Sequence, residues 1–213
     1  MNCSKDAMLL YAVTDRSWVG TQSLMEQVEC ALKGGATCIQ LREKHLSDAD
    51  FLVEALEMKA LCHKYHVPFL INDNVEVAIQ SGADGVHVGQ SDMEAGNVRA
   101  LLGKDKIIGV SARTVEQALA AEAAGADYLG VGAVFSTTTK LDAREVPHDE
   151  LKAICQAVKI PVVAIGGIKK SNILELSGSG VDGVALVSAI FGAEDIEAEC
   201  KELSALSAQM VKA

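Results

Sequence analysis

The chain has 213 residues and a formal net charge of -10, with 49% apolar and 23% charged residues. This apolar fraction is ample for a sizeable core and argues against a disordered chain. The negative charge argues against a nucleic-acid-binding surface, so an anionic substrate would have to be held by a local cluster of donors or by a metal.

Cysteine spacing and the N-terminal segment bear on the cellular compartment. The six cysteines form neither a CxxC pair nor a metal-finger spacing, and we expect all six to be reduced thiols. The N-terminus lacks the basic and apolar regions of a signal peptide, and no apolar run approaches the ~18 residues of a membrane span. We therefore expect a cytoplasmic protein.

Short apolar runs that end in polar residues recur along the chain. The clearest begins at Phe69 and continues through Ile71 directly into Asn72 and Asp73. An uninterrupted run of this length is typical of a strand buried on both faces of a parallel sheet. The polar residues at the C-terminal ends of these strands would then lie together at one rim of the sheet, where we expect the functional site. We predict eight such strands, at residues 9–13, 38–41, 69–71, 85–88, 107–110, 128–131, 162–165 and 183–187.

Segments with helical spacing of apolar residues lie between the predicted strands. Ser23 can cap the first helix, which Gly34 and Gly35 end, and Thr114 opens an alanine-rich helix that Gly125 ends. Further helices are predicted from residue 47 to about 66, from 75 to 82, from 93 to 102, from about 148 to 157, through 173 and 176, and from 196 to 210.

Eight strand-helix units, without a linker rich in Pro, Ser or charge, favour a single (β/α)8 TIM barrel of the α/β class that spans residues 1–213. A doubly wound open sheet is the alternative, which is disfavoured because the first turn has no GxGxxG fingerprint. Small residues recur where a helix turns into the next strand, in Gly34-Gly35-Ala36, Gly82-Ala83-Asp84-Gly85, Gly125-Ala126-Asp127 and Gly180-Val181-Asp182-Gly183.

Two cations follow the second predicted strand. Arg42 and Lys44 occupy alternate positions, so both side chains can point the same way. They suit a doubly charged group such as a pyrophosphate, with Arg42 as a forked donor and Lys44 as a point charge. An exposed ion pair that involves Glu43 is the alternative.

Two carboxylates follow neighbouring strands. Asp73 closes the third strand and Asp92 follows the fourth, so adjacent barrel units could place both on one rim. Such a pair, without a cysteine or histidine cage, suits Mg²⁺, which keeps several waters and takes further ligands from substrate phosphates. The alternatives are a helix N-cap for Asp73 and a solvated loop charge for Asp92.

The loops late in the chain are candidates for binding an anion. Phosphate sites of TIM barrels favour the loops after strands seven and eight, and Gly166 and Gly167 follow strand seven. A glycine pair lets backbone N–H groups approach an anion, although it can also serve only to turn the chain. The long connection at residues 132–146 is a candidate lid or binding loop, or an ordinary polar loop, and contains Ser136-Thr137-Thr138-Thr139-Lys140.

The sequence gives little sign of acid-base or nucleophilic chemistry. His87 lies between Val86 and Val88 in the fourth strand, which favours a core residue with satisfied hydrogen bonds over a catalytic base. No Ser/His/Asp or Cys/His signature stands out. The candidate site therefore looks like a clamp for phosphates.

Eight motifs carry a resemblance to a known family: Tyr11-Ala-Val-Thr-Asp15, Gln40-Leu-Arg-Glu-Lys44, Ile71-Asn-Asp73, Asp84-Gly-Val-His-Val-Gly-Gln90 with Asp92, Gly109-Val-Ser111, Gly130-Val-Gly-Ala-Val-Phe-Ser-Thr-Thr-Thr-Lys140, Pro161-Val-Val-Ala-Ile-Gly-Gly-Ile168 and Asp182-Gly-Val-Ala-Leu-Val-Ser188. In this order they resemble thiamine-phosphate synthase (thiamine-phosphate pyrophosphorylase). The resemblance covers nearly the whole chain from Tyr11 to Ser188.

The resemblance implies a transferase that joins 4-amino-2-methyl-5-hydroxymethylpyrimidine diphosphate (the pyrimidine diphosphate) to 4-methyl-5-(2-phosphoethyl)thiazole (the thiazole phosphate). The products are thiamine phosphate and pyrophosphate, the cofactor is Mg²⁺, and the implied mechanism is dissociative, with pyrophosphate leaving before the thiazole nitrogen attacks.

The family pattern also implies residue roles. The pyrimidine diphosphate would be held by Gln40, Leu41, Arg42, Glu43, Lys44, Asn72, Ser111 and Lys140, of which Arg42, Lys44, Ser111 and Lys140 would be catalytic. Asp73 and Asp92 would hold Mg²⁺. The thiazole phosphate would be held by Thr137, Thr138, Thr139, Gly167, Val187 and Ser188.

Three positions depart from the family pattern. Ala133 and Ser136 replace two prolines, and Asn74 stands where the family commonly carries Arg. A thiazole tautomerase of the same barrel family and a non-catalytic protein that binds the thiazole phosphate are the alternatives; retention of the cation pair and of both carboxylates favours the transferase. We expect phosphorylated small molecules as partners, no nucleic acid or membrane, and allow for a homo-oligomer.

Overall fold

The computed structural model describes residues 3–90, 98–137 and 145–213. Within these residues, eight parallel strands close into a barrel in chain order, because each pairs with its sequence neighbours and the first pairs with the last. The predicted single (β/α)8 barrel is confirmed. The strands are β1 Leu10–Val13, β2 Cys38–Leu41, β3 Phe69–Asn72, β4 Gly85–Val88, β5 Ile107–Ala112, β6 Tyr128–Gly132, β7 Val162–Ile165 and β8 Gly183–Leu186.

Helices cover the outside of the barrel, and the two predicted caps are present. The Ser23 hydroxyl accepts from the Glu26 N–H, and the Thr114 hydroxyl accepts from the Gln117 N–H. The α-helices are α1 Leu24–Lys33, α2 Asp48–Lys64, α3 Val75–Ser81, α4 Val98–Leu102, α5 Val115–Ala123, α6 His148–Ala157, α7 Ser188–Phe191 and α8 Ile196–Lys212, and 3-10 helices lie at Asp6–Met8, Arg16–Trp18 and Ile173–Leu176. In the described ranges, none of these helices is long and apolar enough to cross a membrane.

Two differences from the predicted elements have a local cause, and a third element is described only in part. The helix expected through residues 173 and 176 is a 3-10 helix of four residues, because the Asn172 carboxamide accepts from the Lys169 N–H and closes a turn where an α-helix would begin. β8 ends one residue early because Val187 leaves the extended conformation and caps α7. The first five residues of the helix predicted at 93–102 lie outside the described residues, and its remainder is α4.

Side chains alternate between two apolar layers along each strand. In β1, Leu10 and Ala12 pack against the helices, whereas Tyr11 and Val13 pack inside the barrel. Both faces of the strand are therefore buried, which explains why the strands read as unbroken apolar runs.

All six cysteines are free thiols, as predicted. Cys3, Cys38, Cys62 and Cys200 are buried, and burial is the largest factor that raises the pKa of the Cys62 thiol to about 12. A thiol with so high a pKa is a poor nucleophile.

The recurrent helix-to-strand turns brace the N-terminal rim of the barrel. Before each even-numbered strand, one polar side chain accepts a hydrogen bond from a backbone N–H of the preceding odd-numbered strand, at 2.8–2.9 Å. A buried N–H left without an acceptor costs about 1–3 kcal/mol, so each brace stabilises one strand pair. The donor-acceptor pairs are Leu10 with Thr37, Phe69 with Asp84, Ile108 with Asp127, and Val162 with Asp182.

Substitution Asp127→Ala tests this brace. Asp127 accepts from the Ile108 N–H and also pairs with the Arg99 guanidinium. We expect the free energy of unfolding in urea to fall by about 2–3 kcal/mol, because a buried N–H loses its acceptor and the Arg99 guanidinium, which keeps three carbonyl acceptors, loses its carboxylate partner. Asp105→Ala, at an exposed position, is the control and should change it by less than about 0.5 kcal/mol. Equal losses in the two variants would contradict the brace.

Candidate active site

A cavity of about 410 Å³ opens at the C-terminal ends of the strands. Every strand supplies a lining residue at or just beyond its last position: Val13, Arg42, Asp73, Gly89, Arg113, Ala133, Gly166 and Val187. The cavity therefore occupies the rim at which the active sites of TIM barrels lie.

The end of β2 directs alternate side chains into the cavity. Gln40, Arg42 and Lys44 line it. Leu41 is fully buried on the opposite face, in the layer between barrel and helices. Glu43 also faces away and accepts from the Arg16 guanidinium, with Nη2 and Oε1 3.0 Å apart. The ion pair considered for Glu43 thus forms with Arg16, and both cations of β2 remain at the cavity.

The end of β1 positions Arg42. The buried Thr14 hydroxyl accepts from the Arg42 backbone N–H at 2.9 Å, and the Asp15 carboxylate contacts Arg42 Nη1 at 3.2 Å. The other Asp15 oxygen accepts from the Ser17 N–H at 2.9 Å, so the carboxylate is itself held in place. Arg42 is therefore held both at its backbone and at its guanidinium.

Asp73 lies at the mouth of the cavity in a left-handed conformation, with φ of 61°. Its N–H donates to the carbonyl of His87 at 2.8 Å. One carboxylate oxygen contacts Lys44 Nζ at 2.9 Å and accepts from the Asn72 carboxamide at 2.6 Å. The N-cap of α3 is Asn74, whose carboxamide oxygen accepts from the third residue of the helix. Asp73 is therefore not used as a cap, and its carboxylate faces other groups at the rim.

The donors around Asp73 suit a hard cation that takes few protein ligands. The carboxylate is 42% exposed at the cavity mouth, and Asn72 adds a carboxamide beside it. In the described part of the chain, no group of three or more His, Cys, Asp or Glu side chains could hold a metal ion. This donor set fits Mg²⁺, which keeps waters and substrate oxygens as ligands, rather than a metal enclosed by protein. Asp92, the other predicted ligand, lies outside the described residues.

Ser111 and His87 form part of the cavity floor. His87 Nε2 lies 3.0 Å from the Ser111 hydroxyl, and His87 Nδ1 lies 2.8 Å from the Tyr128 hydroxyl. The hydrogen bonds of His87 are satisfied, as the sequence interpretation expects, but the imidazole lines the cavity rather than an apolar core.

The loops after β6, β7 and β8 form the opposite side of the cavity. Thr137, Val187 and Ser188 line it, while Gly167 lies beside Thr137 and Ser188 in an adjoining open groove. Gly167 has a φ of +68°, and a Cβ there would lie 2.4 Å from the Ser136 carbonyl oxygen. Only glycine therefore fits this turn. Thr138, Thr139 and Lys140 lie outside the described residues.

Two departures from the family pattern lie at this turn. Ala133 lines the cavity and packs against Gly166, where an added Cβ would lie 2.5 Å from the alanine Cβ. Ser136 presents its carbonyl to Gly167. Asn74, the third departure, caps α3 and donates to Asp48 at 2.9 Å.

Arg113 is a cavity residue that the sequence interpretation missed. It follows Ser111 by two positions, so the alternation along β5 directs both side chains into the cavity. Among the salt bridges of the described residues, none involves the Arg113 guanidinium. The signal was the one used for Arg42 and Lys44, a cation at an alternate position just past a strand.

Together, the fold and its rim define a (β/α)8 barrel whose polar cavity joins cations from β2 and β5 to a glycine turn after β7. A family model described as thiamine monophosphate synthase matches residues 10–190. The thiamine-phosphate synthase of Ruminiclostridium cellulolyticum is 50% identical over 200 residues, which cover 94% of this chain and 95% of the relative. That of Clostridium tetani is 47% identical over 92% of this chain and 93% of the relative.

A solved structure agrees with the sequence relatives. The thiamine phosphate pyrophosphorylase of Pyrococcus furiosus superposes with a TM-score of 0.89 at 40% identity, covering 97% of this chain and 98% of that chain. The chain therefore belongs to the thiamine monophosphate synthase family. Its membership makes it a transferase of thiamine biosynthesis.

Two glycine substitutions test the turn after β7. In Gly167→Ala the new Cβ meets the Ser136 carbonyl, whereas Gly178, with a similar φ of +73°, has no atom within 4 Å of an added Cβ. We expect Gly178→Ala to lower the free energy of unfolding by about 1–2 kcal/mol through its left-handed backbone alone. Gly167→Ala should lower it by about 3 kcal/mol or more, because the 135–136 backbone must also move. Equal losses in urea unfolding would contradict the close contact.

Proposed function

We propose that the chain condenses the pyrimidine diphosphate with the thiazole phosphate to give thiamine phosphate and pyrophosphate, by a dissociative, Mg²⁺-assisted reaction. One observation carries the proposal: Arg42, Lys44 and Arg113 line the same cavity as Asp73. In a chain of net charge -10, three cations at one cavity favour a multiply charged anion. The family to which the chain belongs supports the choice of a diphosphate.

The β2 side of the cavity suits the pyrimidine diphosphate. Arg42 offers paired donors to phosphate oxygens and Lys44 a compact charge. Their contacts with Asp15 and Asp73, at 3.2 and 2.9 Å, hold both cations at the rim before a substrate arrives. The other residues proposed for this substrate are Gln40, Asn72 and Ser111, which line the cavity, and Lys140. Leu41 and Glu43 would contribute backbone atoms only, because their side chains face away from the cavity.

Asp73 and Asp92 are the proposed protein ligands of Mg²⁺. When bound, it would neutralise charge that develops on the departing pyrophosphate. Lys44, which contacts Asp73, would supply a positive charge to the same leaving group. The chain's own contribution at this point is to place Asp73 at the rim, through the Asp73 N–H donated to the His87 carbonyl.

The opposite side of the cavity suits the thiazole phosphate. Thr137 and Ser188 line both the cavity and an open groove of about 840 Å³ beside it, and Gly167 lies in that groove. Their hydroxyls and the Gly167 backbone N–H offer donors where the thiazole ring would enter from solvent. The residues proposed for this substrate are Thr137, Thr138, Thr139, Gly167, Val187 and Ser188.

The reaction requires little acid-base chemistry from the protein. The bond between the pyrimidine methylene carbon and the diphosphate oxygen breaks, and its electron pair leaves with pyrophosphate. The resulting pyrimidinylmethyl cation accepts the lone pair of the thiazole nitrogen, which carries no proton to lose. The chain must therefore neutralise the leaving group and position the second substrate, which the cations and the two-sided cavity would do.

A product assay tests the reaction and its metal requirement. With both substrates and Mg²⁺, we expect thiamine phosphate and pyrophosphate to form in equal amounts, and chelation of the metal to abolish both. Isomerisation of a thiazole substrate without the pyrimidine diphosphate would instead indicate a tautomerase. Binding of the thiazole phosphate without any turnover would indicate a binding protein.

Removal of one cation tests the diphosphate side. We expect Lys44→Met to lower kcat/KM for the pyrimidine diphosphate by about 100-fold, because one preplaced charge near the leaving group is lost. Arg113→Met should change it in the same direction. Lys152→Met removes the same charge from the exposed face of α6 and should leave steady-state kinetics unchanged. Equal effects of Lys44→Met and Lys152→Met would show that only net charge matters.

A further inference from the structure

A chain of five hydrogen-bonded side chains crosses the barrel interior and ends at the cavity. Gln40 Nε2 donates to the Tyr11 hydroxyl at 2.6 Å, and the Tyr11 and Tyr128 hydroxyls lie 2.8 Å apart. Tyr128 contacts His87 Nδ1 at 2.8 Å, and His87 Nε2 contacts the Ser111 hydroxyl at 3.0 Å. This hydrogen-bonded row of side chains therefore connects five strands: β2, β1, β6, β4 and β5.

Two strand glycines make room for the rings of this chain. A Cβ at Gly109 would lie 2.1 Å from a ring carbon of Tyr128, and one at Gly130 would lie 3.0 Å from His87 Cε1. Glycine weakens a strand interior and often marks a close approach. Tyr11 and Tyr128 are completely buried, in edge contact at 5.8 Å between ring centroids. The rings are thus held by packing as well as by hydrogen bonds.

The donors of the chain can be counted from one end. The Gln40 amide nitrogen only donates, so the Tyr11 oxygen accepts from it and the Tyr11 proton is available for Tyr128. Tyr128 then donates to His87 Nδ1, which leaves the imidazole proton on Nε2 to face Ser111. Burial is the largest cause that raises the pKa of both tyrosines well above the usual value, so both hydroxyls keep the protons that this count needs.

We propose that Tyr11 and Tyr128 are positioning residues that fix His87 as the Nε2–H tautomer, so that Ser111 accepts from His87 and donates its own proton into the cavity. A donor at this point favours a heteroaromatic ring that presents an unprotonated nitrogen. The identity of that nitrogen rests on the proposed function, under which it belongs to the ring of the pyrimidine diphosphate. Tyr11 lines the cavity whereas Tyr128 does not, so Tyr128 acts on substrate orientation only through His87 and Ser111.

The tautomer can be read directly. Two-bond proton–nitrogen NMR correlations of the ligand-free protein, labelled with 15N-histidine at about pH 8, distinguish Nε2–H from Nδ1–H, since an exposed imidazole is neutral there. His87→Asn assigns the signal among the five histidines. We expect Nε2–H for His87. An Nδ1–H signal would reverse every bond of the chain and overturn the proposal.

Tyrosine variants test the role of the pair. Tyr128→Phe keeps the ring but removes the donor to His87, and Tyr11→Phe removes the link to Gln40. We expect each to mix the two tautomers and to raise KM for the pyrimidine diphosphate about three- to tenfold, the effect of one hydrogen bond. Tyr65→Phe, which removes the hydroxyl that donates to Glu29 on the surface, should alter neither reading. An unchanged tautomer and an unchanged KM in both tyrosine variants would show that the two tyrosines serve only to pack the barrel interior.

A further variant keeps the test independent of turnover. Ser111→Ala removes the acceptor at the end of the chain, yet Tyr128 still donates to Nδ1, so the Nε2–H tautomer should persist. Loss of that tautomer would show that Ser111 sets the direction, contrary to the proposal. An inactive wild-type protein with the Nε2–H signal would refute only the proposed reaction. An active one with Nδ1–H would refute only the proposed chain direction.

Discussion

Closure of a parallel sheet places all of the chemistry at one rim. Every strand is hydrogen-bonded on both sides, so the C-terminal ends meet around one cavity. Register is critical because side chains alternate: a slip of one residue in β2 would turn Leu41 into the cavity and Gln40 towards the helices. The braces at the opposite rim, of which Asp127 with Ile108 is one, hold strand pairs in the register on which the site depends.

Carboxylates hold the cations of the rim in place. In an acidic protein, Arg42 and Lys44 are each in contact with an aspartate, Asp15 or Asp73. Each pair is partly exposed and so contributes little to stability, about 0–1 kcal/mol, which suggests a positional role. Arg113 has no such carboxylate among the described residues and adds a charge from the end of β5. Such an arrangement suits a ligand that brings several negative charges at once.

The floor of the cavity has a different character from its rim. Tyr11, Tyr128 and His87 form a hydrogen-bonded chain whose tyrosines are completely buried, whereas the charges lie at the mouth. A heteroaromatic ring bound on the floor would place an attached diphosphate among the cations. The division of labour matches a reaction in which the leaving group needs charge and the ring needs orientation. In the proposed reaction, the cations at the mouth would act on the leaving group and the floor would orient the ring.

The local sequence pattern was enough to predict the fold and many of the residues at the rim. Apolar runs with polar ends, such as the run into Asn72 and Asp73, identify buried strands. Residues that are close in sequence show both that the strand is buried and where it ends. Contacts between distant residues were decided only by barrel closure: Arg16 reaches Glu43 across 27 positions, and His87 reaches Ser111 across 24. His87 thus reads as a core residue in sequence and becomes part of the cavity in space, because only packing brings Tyr128 and Ser111 to its two nitrogens.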